Sequence, residues 1–63
     1  MRVLELIRYI IQHPEYTNIV IKDEGDMTPL TAIDYLASID ASHYGSIFFQ
    51  INGTLEKNTL NVW

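Results

Sequence analysis

The sequence predicts an α+β fold in which an N-terminal helix packs on a small antiparallel sheet of three to four strands. Three observations lead to this prediction: an apolar pattern of helical period at the N-terminus, the β-branched run "NIVIK", and the run "SIFFQI" followed by "NG". The chain has 63 residues, which fits one small domain that buries about 60% of the surface of its unfolded chain. We therefore expect a single domain over residues 1–63, in the chain order helix, strand, strand and strand hairpin.

The first helix is indicated by an arc of apolar residues. At 100° per residue these residues cluster within about 160° of the helix circumference, and the polar residues share the opposite side with Tyr9. The apolar residues are Val3, Leu4, Leu6, Ile7, Ile10 and Ile11. Pro14 disfavours a helical conformation of the residue before it, so the helix runs from about Arg2 to Gln12 or His13. At that position His13 is expected to complement the negative end of the helix dipole.

The first strand is indicated by three successive β-branched residues, Ile19, Val20 and Ile21. They predict a strand from Asn18 to Lys22, because turn-forming residues follow within a few positions. The next segment, "DEGDMTP", combines acids with a glycine and a proline and predicts a solvated loop.

A hairpin is indicated near the C-terminus. The run "SIFFQI" predicts a strand at Ile47–Ile51. The pair Asn52–Gly53 is typical of a type I′ turn, in which both central residues need positive φ, and a partner strand should begin at Thr54. Two interpretations of "TLEKNTLNVW" stay open: one continuous strand, or a strand that breaks at Lys57–Asn58 and turns back.

The segment Leu30–Leu36 fits two structures. As a helix it has Thr28 as the cap, Pro29 as the first helical residue and one apolar stripe. That stripe consists of Leu30, Ile33, Leu36 and Ala37. As a strand it alternates poorly, but the turn-rich "SIDASHYGS" that follows favours a strand paired with Ile47–Ile51.

An opening helix is followed by "HPEYTNIVIKD", "PLTAIDY" and "SIFFQI". This order resembles a broad group of small uncharacterised proteins of bacteria and their phages, in which a helix precedes a P-x-[DE]-x-x-V-like stretch, a strand, an acidic turn and further strands. The resemblance implies a helix packed on a small antiparallel sheet, a possible phage or prophage origin and no assigned activity. It favours a strand over a helix at Leu30–Leu36.

Composition narrows the classes of function. Eight acidic and four basic residues give a net charge of −4, which argues against direct binding of nucleic acid. The sequence has no cysteine, so it offers no disulfide framework and no thiolate metal site, and a cytoplasmic protein is expected. No apolar run reaches the roughly 18 residues needed to cross a bilayer, so we expect a soluble protein without a membrane partner.

Metal chemistry is poorly supported by the spacing of the possible ligands. A calcium loop that starts at Asp23 would need a side-chain oxygen at its third position and a glutamate at its twelfth. Gly25 and Asp34 occupy those positions. His13 and His43 are far apart in sequence and match no zinc motif.

Catalytic chemistry and a repeat architecture are equally poorly supported. Ser42 or Ser46 could be combined with His43 and Asp40, but such close neighbours in sequence seldom form a triad and no nucleophile elbow is present. The phrase "TPLTA" resembles the start of an ankyrin repeat, but no second copy follows at a spacing of about 33 residues. We expect no enzyme activity, no metal site and no cofactor.

The aromatic residues suggest a surface for another protein. Phe48 and Phe49 are adjacent in a predicted strand and must point to opposite faces. One helix covers one face, so the outward ring either meets a protein partner or a second copy of the chain, or is half exposed or covered by the C-terminal "LNVW". The candidate interface residues are Tyr9, Phe48, Phe49 and Trp63, and the predicted function is a non-enzymatic interaction or self-association.

The acidic residues suggest an alternative function. A small acidic protein can mimic nucleic-acid charge and inhibit a DNA- or RNA-binding enzyme. This would require several acidic side chains on one face. The residues concerned are Glu15, Asp23, Glu24, Asp26, Asp34 and Asp40.

Overall fold

The computed structural model describes residues 1–43 and 45–63, and within them it contains two helices and a four-stranded mixed sheet. The elements are α1 (Val3–Gln12), β1 (Asn18–Ile21), β2 (Gly25–Met27), α2 (Pro29–His43), β3 (Ile51–Thr54), a 3-10 turn (Leu55–Lys57) and β4 (Thr59–Val62). The strand order is β2-β1-β4-β3, with β1 and β4 parallel and the other neighbours antiparallel. The predicted α+β class is confirmed, but the sheet is mixed and not wholly antiparallel, because β1 and β4 are parallel, and a second helix accompanies the first.

Both helices and both central strands contribute to one apolar core. The inward positions of the parallel pair match in register, with Ile19 opposite Leu60 and Ile21 opposite Val62. The buried apolar residues are Val3, Leu6, Ile10, Tyr16, Ile19, Ile21, Ala32, Leu36, Phe49, Leu60 and Val62. Val20 and Asn61, which lie between the inward positions, point to the outer face and are less buried, and the helices form one layer on the inner side of the sheet.

The helix α1 agrees with its prediction. The backbone N–H of Arg2 donates to Glu5 Oε1 at 3.1 Å, which satisfies a donor before the first turn. The helix ends at Gln12, and His13 leaves helical geometry before Pro14, as expected for a residue that precedes proline.

The segment Leu30–Leu36 belongs to α2, so the predicted strand there is wrong. The hydroxyl of Thr28 accepts a hydrogen bond from the backbone N–H of Thr31 at 3.3 Å, and Pro29 is the first helical residue. Ala32 and Leu36 are buried against the core. The helical period therefore outweighs the turn-rich composition of the following residues, which continue the helix to His43.

The segment predicted to be a solvated loop contains the short strand β2. The chain turns over Lys22–Glu24, where the backbone N–H of Glu24 donates to the carbonyl of Ile21 at 2.9 Å. Asp23 and Gly25 take positive φ values of 68° and 81°. The acidic and glycine residues of β2 are not typical of a strand. The strand forms because its backbone pairs with β1, and this pairing needs no apolar side chain.

The predicted hairpin turn at Asn52–Gly53 is wrong, because both residues lie inside β3. The turn is formed by Leu55–Asn58, in which Asn58 adopts the left-handed conformation with φ 49°. The chain then returns as β4, so the interpretation with a break near Lys57–Asn58 is the correct one. Of the predicted strand Ile47–Ile51, only the last residue belongs to β3.

Gly53 is required by space rather than by a turn. A Cβ placed on it would overlap the Tyr16 hydroxyl oxygen and lie 2.5 Å from Tyr16 Cζ. The ring of Tyr16 therefore lies over the glycine on the inner face of β3, an arrangement in which an aromatic side chain covers a strand glycine.

Candidate functional site: exposed apolar surfaces

The helical layer exposes three large apolar side chains, Leu4, Ile11 and Leu30, which we call the helix surface. Their exposed fractions are 63%, 63% and 81%. Isolated exposed leucines are common in proteins, but three in a chain of 63 residues with a single helical layer form a candidate binding surface.

Helical spacing places Leu4 and Ile11 on one side of α1 and Leu30 on the outward side of α2. On α1, Leu4 and Ile11 follow helical spacing about 100° around the axis from the buried line. Leu4 lines the same groove as Ala41, which places the start of α1 beside the end of α2. The helices are therefore antiparallel, and Leu30 lies at the end of the pair where α1 finishes.

Charged residues of opposite sign lie beside the helix surface. Arg8 is exposed next to the apolar flank of α1, and Asp34 is exposed next to that of α2. A complementary partner would present apolar side chains in the middle, an acid towards Arg8 and a base towards Asp34.

A groove with a volume of about 690 Å³ lies where α1 starts and α2 ends. It is lined by Arg2, Val3, Leu4, Glu5, Asp40, Ala41 and Gly45. The Arg2 guanidinium spans one side, where Nη1 donates to the carbonyl of Gly45 at 3.0 Å. Apolar lining beside the carboxylates of Glu5 and Asp40 fits an apolar side chain with a neighbouring cation. The groove is continuous with the helix surface through Leu4.

The structure separates the aromatic residues that the sequence singled out. Phe48 is exposed and Phe49 is buried, with exposed fractions of 67% and 8%, so only one of the two rings enters the core. Phe49 therefore belongs to the core, whereas Phe48 and Trp63, which is 48% exposed, remain available for contacts. Tyr9 is half-buried and stacks on His13 with a ring separation of 4.1 Å.

A polar and aromatic cluster joins the end of α1 to β3. His13 Nδ1 lies 3.0 Å from Glu15 Oε2, and the rings of Tyr9 and Tyr16 are 6.3 Å apart. Burial raises the pKa of Tyr9, and contacts with Tyr16 and the charge of Glu15 raise it further. A hydrogen bond from its own backbone N–H lowers the pKa of Glu15, and His13 lowers it further.

The contacts of this cluster connect α1 and the turn after it to β3. The carboxylate of Glu15 orients the imidazole of His13, whose face stacks on Tyr9 and does not line the groove. The sequence analysis did not predict that Tyr16 belongs to this cluster. The stack of Tyr9 on His13 was predictable, because residues four apart on a helix lie side by side.

The acidic residues belong to different elements. Asp23, Glu24 and Asp26 are exposed in the β1–β2 hairpin, whereas Asp34 and Asp40 lie on α2. Burial raises the pKa of Tyr35, and the nearby carboxylate of Glu24 raises it further.

The remaining chemical candidates are not assembled into a site. Ser42 and His43 are consecutive in α2 and point about 100° apart. Over residues 1–43 and 45–63, no three His, Asp or Glu side chains are grouped as metal ligands. Neither described helix has the length and apolar character required to cross a bilayer.

Comparisons with protein-family models, curated proteins and solved structures find no match to this chain. The resemblance to small bacterial and phage proteins therefore stays a prediction.

Proposed function

We propose that this chain is a non-enzymatic protein-interaction protein that binds an apolar segment of a partner protein on its helix surface. The observation that carries the proposal is the exposure of Leu30, at 81%, on the same layer as Leu4 and Ile11. Covering apolar surface stabilises a complex by about 25 cal/mol per Å² before the cost of association is subtracted. The absence of cysteine is compatible with a cytoplasmic setting for this binding.

The test compares two substitutions that add the same charge to α2. Leu30→Glu places a carboxylate in the helix surface, and Ser38→Glu places one on an exposed position of α2 away from it. Both variants and the original protein are immobilised and used to capture partners from cells of the native host. We expect a partner to bind the original protein and Ser38→Glu but not Leu30→Glu. Equal capture by all three forms, or no capture by any, would contradict the proposal.

A second candidate function is supported by the acidic hairpin. Asp23, Glu24 and Asp26 are exposed together and could imitate nucleic-acid phosphates towards an enzyme that binds DNA or RNA. Binding of this kind should weaken steeply with added salt and with Asp23→Asn plus Asp26→Asn. Binding through the helix surface should change little in either case, so salt titration of the captured complex distinguishes the two functions.

A further inference from the structure

The backbone of β3 has hydrogen-bonding groups directed away from the sheet. Gln50 and Trp63 exchange two backbone hydrogen bonds, at 2.7 and 2.9 Å, just before β3 and after β4. Bonded and non-bonded pairs alternate in an antiparallel ladder, so Asn52 and Thr54 bond to β4 while Ile51 and Gly53 point to the other side. Among the described residues, no strand lies beyond β3.

Among residues 1–43 and 45–63, the chain itself occupies the same edge only before β3 begins. The backbone of Phe49 exchanges hydrogen bonds with Met1, and Phe48 forms an isolated antiparallel bridge with Arg2. This pairing shows that the edge accepts an antiparallel strand. It leaves the outward N–H and C=O groups of Ile51 and Gly53 for another one.

The distribution of charge favours self-association through the β3 edge over the β2 edge. The β2 edge carries Asp26 beside the acidic turn, whereas Ile51–Thr54 contains no charged residue. With a net charge of −4, two copies that approach through β2 bring like charges together. Short charged strands of the β2 kind discourage edge pairing, and β3 lacks that protection.

We propose that β3 pairs antiparallel with β3 of a second copy, about a two-fold axis at Asn52. In this register Ile51 faces Gly53 of the second copy, and these residues exchange four backbone hydrogen bonds across the axis. The two Asn52 side chains meet on the outer face. This dimer goes beyond the proposed function, because it uses a different surface from the helix surface.

The surroundings of β3 fit this register. On the inner face, Ile51 of one copy would lie beside the Tyr16 ring that covers Gly53 of the other. The pairing ends with Thr54 opposite Gln50, one residue before the Phe49 groups that Met1 already uses. Beyond that point Leu55, which is 62% exposed, comes near Met1 of the second copy.

Disulfide trapping tests the register, because the chain contains no cysteine of its own. Asn52→Cys places two thiols on a non-hydrogen-bonded pair, where Cα atoms about 4.5 Å apart suit a disulfide. We expect Asn52→Cys to cross-link under mild oxidation. Gln50→Cys or Thr54→Cys alone should not cross-link, whereas a mixture of the two should. If the mixture does not cross-link faster than either single variant, the register is wrong.

Sedimentation over a concentration series tests the dimer itself. The original protein should dimerise reversibly, and Asn52→Lys, which places like charges opposite each other, should weaken dimerisation by about tenfold or more. Asn18→Lys adds the same charge to the outer face of β1 and should leave dimerisation unchanged. A monomer at all concentrations, or equal weakening by both lysine variants, would overturn the proposal.

The helix-surface variant separates this dimer from the partner-binding function. Leu30→Glu should abolish partner capture and leave the β3 dimer intact. If Leu30→Glu dissociates the dimer and Asn52→Lys does not, the copies associate through their helices and the β3 assignment fails.

Discussion

The two edges of the sheet each contain a glycine, and each glycine is favoured at its position for a different physical reason. Gly25 in β2 has φ 81° with open space where a Cβ would stand, whereas Gly53 in β3 is covered by Tyr16. At the first position the left-handed backbone conformation disfavours a residue with a Cβ, and at the second the Tyr16 ring occupies the space that a Cβ would need. The same residue type therefore marks a turn at one edge and a packing contact at the other.

The largest expected effect is that of Gly53→Ala. The added methyl group overlaps the Tyr16 ring, and overpacking of this kind costs about 1–3 kcal/mol of unfolding free energy. The cost should shrink in a Tyr16→Leu background, because the overlapping ring atoms are gone. Urea unfolding of the two single variants and the double variant measures this coupling. Equal costs in both backgrounds would show that packing is not the reason for Gly53.

Gly25→Ala should have a smaller effect with a different origin. An alanine in the left-handed region costs about 1–2 kcal/mol, and no neighbouring atom adds to it. Gly25→Asn should cost less than Gly25→Ala, since asparagine tolerates this conformation. The Tyr16→Leu background should not change either value. If asparagine were no better than alanine, the comparison between the two glycines would lose its basis.

The smallest expected effect concerns pH and the cluster over β3. The pKa of Glu15 lies below its ordinary value of 4.5 in the folded state. Its contribution to stability is therefore present above about pH 4.5 and is lost as pH falls towards the folded pKa. Glu15→Gln should unfold at lower urea than the original protein at pH 7, and this difference should shrink on acidification.

A control identifies the cause of this pH dependence. The largest cause is the backbone N–H of Glu15, so most of the destabilisation produced by Glu15→Gln should persist in a His13→Asn background. Loss of the whole difference in the His13→Asn background would assign the effect to the imidazole.

Local sequence patterns predicted the elements whose structure depends mainly on residues close in sequence. The arc of α1 and the proline after it define the helix without reference to the rest of the chain. The helical alternative for α2 was equally visible in Thr28, Pro29 and the apolar stripe. The strand was preferred because the composition after Leu36 and the resemblance favoured it. A segment that contains serine and alanine can, however, also extend a helix.

Elements that depend on distant residues could not be predicted. Asn52–Gly53 has the strongest local preference for a turn, but Tyr16 needs the glycine inside a strand, and Asn58 provides the left-handed residue for the actual turn. The strand β2 forms because its backbone pairs with that of β1. In both cases pairing and packing override local preference.

The candidate surface was predictable only in part. The alternation expected of strand side chains predicted that only one of Phe48 and Phe49 enters the core, and their exposures agree, although neither residue belongs to a strand. Which ring is buried depends on the side of the sheet that the helices cover, and that side is set by the topology. The helical alternative placed Leu30 in one apolar stripe with Leu36, but Leu30 is exposed because Ala32 and Leu36 define the face of α2 that packs.

The segment Phe49–Gln50 lies between the first and the last residues of the chain, bonded to Met1 on one side and to Trp63 on the other. Residues 1 and 63 therefore stand about two strand spacings, or roughly 10 Å, apart. A short glycine linker would span that distance, and new termini opened in the exposed turn Lys22–Glu24 would interrupt no helix or strand. The fold is thus suited to circular permutation, in which the order of its elements changes while their contacts persist.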